Sequence, residues 1–236
     1  MHHHHHHIEG RVAAGATVGA PGEGVKMAAG DVVLKFDHVI IPQETYYWCG
    51  PATMQVLLSI RGIKVTEKYM ADQLGTTING TDTILYLTRE LNERLGDIYR
   101  TVQVPGAGDL TQFRKHVFHS IDAGFGVGGN IMVPPANYPR PQRGERASYS
   151  GGWVYHYWSI VGKNERLDQM AIADSGFPDY FYWVTSEQAL SMISGKGYTW
   201  AANAKVADDF LGSLSDADQR RVLAAAIQVS EPHRGA

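Results

Sequence analysis

Apolar positions along the chain repeat mostly at helical spacing before about residue 124 and mostly at strand spacing after it. Following Cys49-Gly50-Pro51, the residues Met54, Leu57, Leu58 and Ile60 predict a helix, with Gly62 as its stop. Thr66 caps a short helix through Leu74, which Gly75 ends. Thr81 opens another, with Ile84, Leu87, Leu91 and Leu95 along one face and Gly96 just past its end. Asp109 caps a fourth, whose buried stripe is Leu110, Phe113, Val117 and Ile121. Two strands are predicted among these helices: Val32–Ile41, closed by Pro42, and Ile98–Val104, stopped by Pro105-Gly106.

Beyond them, Phe125–Val133 reads as a buried strand whose glycines permit close approach by a neighbouring strand or a substrate. Pro134–Gly152 has no periodicity and predicts a long loop of the kind used as a lid or binding loop, or else a solvated insertion. Trp153–Val161 alternates, with Val154, His156, Trp158 and Ile160 on one face and Tyr155, Tyr157, Ser159 and Val161 on the other. A turn at Asn164–Asp168 joins it to a strand at Gln169–Ala173, and Tyr180–Val184 is a further aromatic strand. Thr185 with Gln188 forms a capping-box pattern for a helix ending at Gly195, and Tyr198–Ala202 is expected to close the sheet. Helices grouped ahead of the main run of strands indicate an α+β fold with an antiparallel sheet.

Composition narrows the domain. Residues 1–11 are a histidine tag with a protease site, and residues 1–26 as a whole read as tag and flexible leader. Six of the eleven histidines fall in the tag, which leaves His38, His116, His119, His156 and His233. Met27 is a candidate native start. Residues 27–205 suit one domain. Residues 206–236 change character: Ser215 and Asp218 precede a short amphipathic helix at Arg220–Val229, read as a linker to a missing downstream module. A formal net charge of −3 with 19% charged residues gives no basic surface for nucleic acid. No apolar run reaches the ~18 residues of a membrane span, and no secretory signal is visible. Asn79-Gly80-Thr81 matches a glycosylation acceptor and is treated as chance.

Cys49 is the only cysteine, so no internal disulfide forms. A helix start favours negative charge and therefore the thiolate, the nucleophilic form of sulfur. Gln43, six residues upstream, offers an amide donor for an oxyanion held beside that sulfur. A lone cysteine also packs as a small buried hydrophobe; the joint spacing of glutamine, cysteine, glycine and proline favours chemistry. The predicted hairpin after Trp153 brings Asp174 close to His156. A carboxylate there fixes an imidazole's tautomer, whereas the plain alternatives are a satisfied core histidine and a turn-capping aspartate. In the long loop, Arg140, Arg143 and Arg146 with Tyr138 and Tyr149 are candidates to hold an anionic, partly apolar substrate, as is Trp48 beside the cysteine. His116 and His119 sit three apart on one helix, but no further ligands accompany them, so a solvated helix face is expected rather than a metal site.

Gln43, Cys49-Gly50-Pro51-Ala52 and Met54 resemble the signature of C39-like cysteine peptidases, a branch of the papain-like group. His156 in Tyr155–Gly162 and Asp174 in Ala171–Gly176 resemble that family's second and third motifs, and the resemblance runs from about Asp31 to Ala202. It implies a papain-like α+β fold and a cysteine endopeptidase with a Cys49–His156–Asp174 triad. Gln43 would be the oxyanion donor, with no metal or organic cofactor. Within that family, the chain resembles the N-terminal modules of endolysins, particularly those of phages that infect mycobacteria, better than the exporter-fused domains. Cleavage of peptidoglycan peptides is then implied, by a monomer with other lysin modules downstream and no membrane or nucleic-acid partner. Such a protein resides in the host cytoplasm until release and acts at the cell wall. The family also includes peptidases that trim double-glycine leader peptides on exporters; a papain-like transferase or an inactive binding module are the other readings.

Overall fold

Helix α1 (Cys49–Ile60) is buried along its whole length, and the rest of the fold is arranged around it. The structure, a computed structural model, describes residues 26–37, 42–103 and 109–206. Two further helices pack with α1: α2 (Glu67–Leu74) and α3 (Ile84–Leu95). Thr66 caps α2 by accepting the Tyr69 N–H, and Gly75 ends it in the left-handed conformation that glycine adopts without strain. The cap of α3 is Thr83, not the predicted Thr81. Thr81 is instead held back by a 2.8 Å hydrogen bond with Thr76 Oγ1.

The strands are β1 (Val32–Val33), β2 (Arg100–Val102), β3 (Val127–Val133), β4 (Val154–Asn164), β5 (Gln169–Ala173), β6 (Phe181–Thr185) and β7 (Tyr198–Trp200). All pairings are antiparallel, in the order β2-β7-β3-β4-β5-β6, with β1 alongside the far end of β4. The entry strand is thus two residues long rather than ten; residues 38–41 of the predicted run lie outside the described residues, as do Pro105-Gly106. The strand predicted from Ile98 is confined to β2. The last strand does not close the sheet's edge: β7 lies between β2 and β3, with its tyrosine opposite Gly129. The tag and leader through residue 25 and the predicted Arg220–Val229 helix also lie outside the described residues.

Helices cover both faces of the sheet. One apolar cluster joins α4 (Leu110–Asp122) and α5 (Ser186–Ile193) to Val127, Ile131, Val133 and Trp158. A second joins Leu57 and Leu58 of α1 to Met70, Leu74, Ile84, Leu87 and Leu91. The glycines of this run admit both neighbouring strands and α1. A Cβ on Gly129 would lie 2.5 Å from Trp158 of β4, and one on Gly128 3.1 Å from Thr199 of β7. One on Gly126, just ahead of β3, would lie 2.8 Å from Leu57 and 3.0 Å from Ile60. Their absence of side chains lets the helix settle on the sheet. The helical part is therefore packed directly on an antiparallel sheet, an α+β fold of the papain-like kind.

The Pro134–Gly152 segment is ordered by specific bonds. Pro135–Asn137 makes one 3-10 turn. Gln142 N donates to Trp183 O at 2.9 Å, and Trp183 N donates to Glu145 Oε2 at 2.6 Å, so the segment satisfies the free edge of β6. Gln188 has a part in this. Thr185 caps α5 by accepting the Gln188 N–H, but the Gln188 side chain does not reach back to complete the capping box. It accepts from Arg140 N at 2.9 Å and donates to Tyr138 O at 2.9 Å. The two histidines of α4 are likewise packed rather than solvated. His116 stacks on Trp200 at 3.6 Å between centroids and hydrogen-bonds Tyr198 Oη at 2.7 Å, while His119 Nε2 meets Ala204 O at 2.9 Å. Burial beside His119 pushes the His116 imidazole down to about 4.

Candidate active site

Cys49 is the first residue of α1, and no side chain caps that helix start. The orphan N–H groups of the first turn therefore point toward the sulfur's surroundings. Gly50 is required behind it: a Cβ there would fall 2.4 Å from Thr81 Oγ1. The thiol is 6% exposed. Thr81 is fixed in turn by Tyr157 of β4, whose hydroxyl donates to Thr81 O at 2.9 Å.

The hairpin of β4 and β5 supplies the partners. His156 Nε2 lies 2.7 Å from Asp174 Oδ1, and Cys49 acts on the ring electrostatically from its other side. With Nε2 engaged by the carboxylate, Nδ1 is the nitrogen left for the sulfur. Burial works against a charged imidazolium, but Asp174 and Cys49 outweigh it and hold His156 well above the ordinary imidazole range. Burial likewise works against the Asp174 carboxylate. His156, Tyr149 and Tyr182 outweigh it and hold the carboxyl below its usual range. Phe177 stands edge-on to the His156 ring at 5.3 Å and stacks on Tyr149 at 3.9 Å, which closes this side to water.

Gln43 reaches the same place from the preceding segment. Its backbone N–H donates to Ser175 O at 3.0 Å, and its Oε1 accepts from Ser175 Oγ at 2.8 Å. Nε2 donates one hydrogen to Thr45 O at 2.8 Å. A Cβ on Gly176 would touch His156 Nε2 at 3.1 Å and Gln43 Oε1 at 3.4 Å, so this glycine lets the two side chains share one pocket wall. A cysteine sulfur, a charged imidazole and amide donors at one point suit attack on a carbonyl carbon and protonation of a leaving amine.

The long segment's arginines do not converge. Arg143 is buried and makes two hydrogen bonds to Asp31, at 2.7 and 2.8 Å, with its guanidinium 3.8 Å over the Trp183 ring. It is thus a structural group and not a substrate ligand. Arg146 pairs with Asp179 at 2.8 Å, and Arg140 stands exposed beside Asn137. Tyr138 donates to Gly152 O and leans on Tyr149 at 5.7 Å. Trp48 is half-buried, edge-on to Tyr47. Tyr149, expected at a substrate, is buried and donates to Asp174 Oδ2 at 2.6 Å. Tyr182 does the same at 2.6 Å and was not legible beforehand, since a tyrosine in an aromatic strand carries no sign of where its hydroxyl goes.

A family model described as Peptidase_C39 like family matches residues 35–207. Two similar solved structures are the peptidase domain of Streptococcus ComA, a bi-functional ABC transporter involved in a quorum sensing pathway, and a protein from Bacillus anthracis described as a C39-like peptidase. The first is 18% identical with a TM-score of 0.46, over 69% of this chain and 97% of that one. The second is 14% identical with a TM-score of 0.44, over 70% and 94%. No curated protein sequence matches the chain. Residues 35–207 include Gln43, Cys49, His156 and Asp174, and by that match the chain belongs to the Peptidase_C39 like family, a family of cysteine peptidases.

Proposed function

We propose that the protein is a cysteine endopeptidase that cleaves amide bonds in peptidoglycan peptides, with Cys49 as nucleophile and His156 as its proton partner. Asp174 orients and charges the imidazole, and Gln43 with the Cys49 backbone N–H receives the oxyanion. The observation that supports this most is the buried His156–Asp174 pair, 2.7 Å apart, facing Cys49 at a helix N-terminus. The thiolate adds to the carbonyl carbon. The imidazolium gives its proton to the leaving amine, and a thioester remains. Neutral His156 then takes a proton from water, the hydroxide attacks the thioester, and departure of the sulfur restores the ion pair. The wall substrate rests on the resemblance to endolysin modules, with release from the host cytoplasm and action at the wall; Arg143, paired with Asp31, lends it no support.

The test is mass spectrometry of purified mycobacterial peptidoglycan after digestion. New free amines on stem or bridge peptides are the expected result. Efficient cleavage of double-glycine leader peptides with an untouched wall would move the protein to the exporter-peptidase role. Ligation of an added amine in place of hydrolysis would identify a transferase. Gln43→Ala is expected to lower kcat by about 10²–10³-fold, the usual loss of one oxyanion donor. Because Gln43 is buried and bonded to Ser175 and Thr45, the same change is also expected to lower stability, by about 1–2 kcal/mol. Turnover is therefore compared well below the variant's Tm; equal turnover there would remove Gln43 from the oxyanion site.

A further inference from the structure

We infer that Tyr149 and Tyr182 are positioning residues for the reaction, acting through Asp174. The inference rests on the proposed peptidase chemistry and deepens it. Four donors converge on this one fully buried carboxylate. His156 Nε2 and Gly176 N reach Oδ1 at 2.7 and 3.0 Å, and the two tyrosine hydroxyls reach Oδ2 at 2.6 Å each. The hydroxyls come from unrelated parts of the chain, Tyr149 from the long segment after β3 and Tyr182 from β6, and stand 3.3 Å apart. A buried hydroxyl needs only an acceptor, and any carbonyl would satisfy it. Two hydroxyls on the oxygen facing away from the imidazole do more. They fix the carboxylate's rotation, so that Oδ1 and no other acceptor meets His156, and they stabilise the charged form directly.

Asp174 must remain an anion for His156 to remain an imidazolium. The groups that face it are His156 from β4, Cys49 of α1 beyond that ring, Tyr149, Tyr182, and half-buried Tyr180, which carries Arg146 and Asp179 at its rim. Donated hydrogen bonds lower a carboxyl's pKa, so their removal raises it. The charged pair then fails at a higher pH on the acid side. Tyr149 also stacks on Phe177 and leans on Tyr138, so the long segment's docking on the sheet is connected to the charge state of the catalytic pair.

The experiment is Tyr149→Phe, Tyr182→Phe and the double variant, each of which keeps the buried ring. Two readouts are followed against pH: kcat/KM on the peptide substrate, and the rate of Cys49 alkylation by iodoacetamide, which needs no substrate. Single variants are expected to lose about 3–10-fold in kcat with KM within about twofold. The double variant is expected to move the acid limb of both profiles upward by about one pH unit. In an Asp174→Asn background the tyrosine changes are expected to leave the alkylation profile unmoved, since no carboxyl remains to titrate. An acid limb that stays in place in a folded double variant would overturn the inference, as would an equal shift in the Asp174→Asn background. Wild-type turnover in Cys49→Ala would instead overturn the peptidase chemistry itself.

Discussion

His156→Ala is expected to abolish turnover, with kcat falling by up to about 10⁶-fold, the scale seen when one member of a cooperating nucleophile–base pair is removed. The imidazole does two jobs at one position. In the proposed mechanism it stands as the cation beside Cys49 and, as an acid, delivers the proton without which the amine cannot leave. Cys49→Ala removes the proposed nucleophile itself and is expected to cost about as much. The two losses do not add: the double variant should equal either single one, because neither group works alone. Asp174→Asn is expected to retain a partial rate, since a neutral amide can still orient the ring but cannot sustain its charge. Rates on a peptide substrate, with Tm values to establish folding, decide the matter. Wild-type activity in His156→Ala would show that the base lies elsewhere.

Arg143→Ala is expected to destabilise the fold by about 3–5 kcal/mol, the usual cost of leaving a buried partner charge uncompensated. The guanidinium is tied on every side. Besides Asp31, it donates to Gln169 Oε1 at 3.1 Å and to Lys26 O at 3.1 Å, and its plane lies over Trp183. Asp31 is wholly buried and also accepts from Ala28 N at 2.8 Å and Asn164 Nδ2 at 2.8 Å, so it has no route to water once the arginine is gone. Lysine at position 143 would restore charge but not the two-pronged geometry, and should recover only part of the loss. Urea unfolding reads the effect. A raised KM with an unchanged midpoint would return Arg143 to the substrate and overturn its structural role.

Arg143 also marks the limit of what local sequence patterns carry. The spacing of Gln43, Cys49, Gly50 and Pro51 is local chemistry written on one turn of chain, and the Asn164–Asp168 turn states that β4 and β5 are neighbours. Those features identified the residues that now meet. Three arginines within seven positions looked like one anion site because charge in a loop carries no direction; the pairing of Arg143 with Asp31 spans more than a hundred residues and leaves no local mark. Gln188 failed for a similar reason. Its place three residues after Thr185 is a capping-box signal, but the backbone of a distant segment competed for its side chain and won. Nothing near His116 and His119 in sequence marks their cover, because Trp200 arrives from the far end of the domain.

The placement of β7 has a consequence for how the chain reaches this state. Strands β3 to β6 lie side by side in the order in which they occur in the chain, so they can pair progressively. Strand β2 cannot join them, because among the described residues its one neighbour in the sheet is β7, nearly a hundred residues later. During synthesis, β2 must therefore wait until residues 198–200 leave the ribosome and slide in beside Gly128 and Gly129. Such late, long-range closure slows folding and leaves a bare strand edge in the partly folded chain. A ribosome stalled just short of Tyr198 should hold a domain whose central meander is formed and whose β2 segment is still open to proteases.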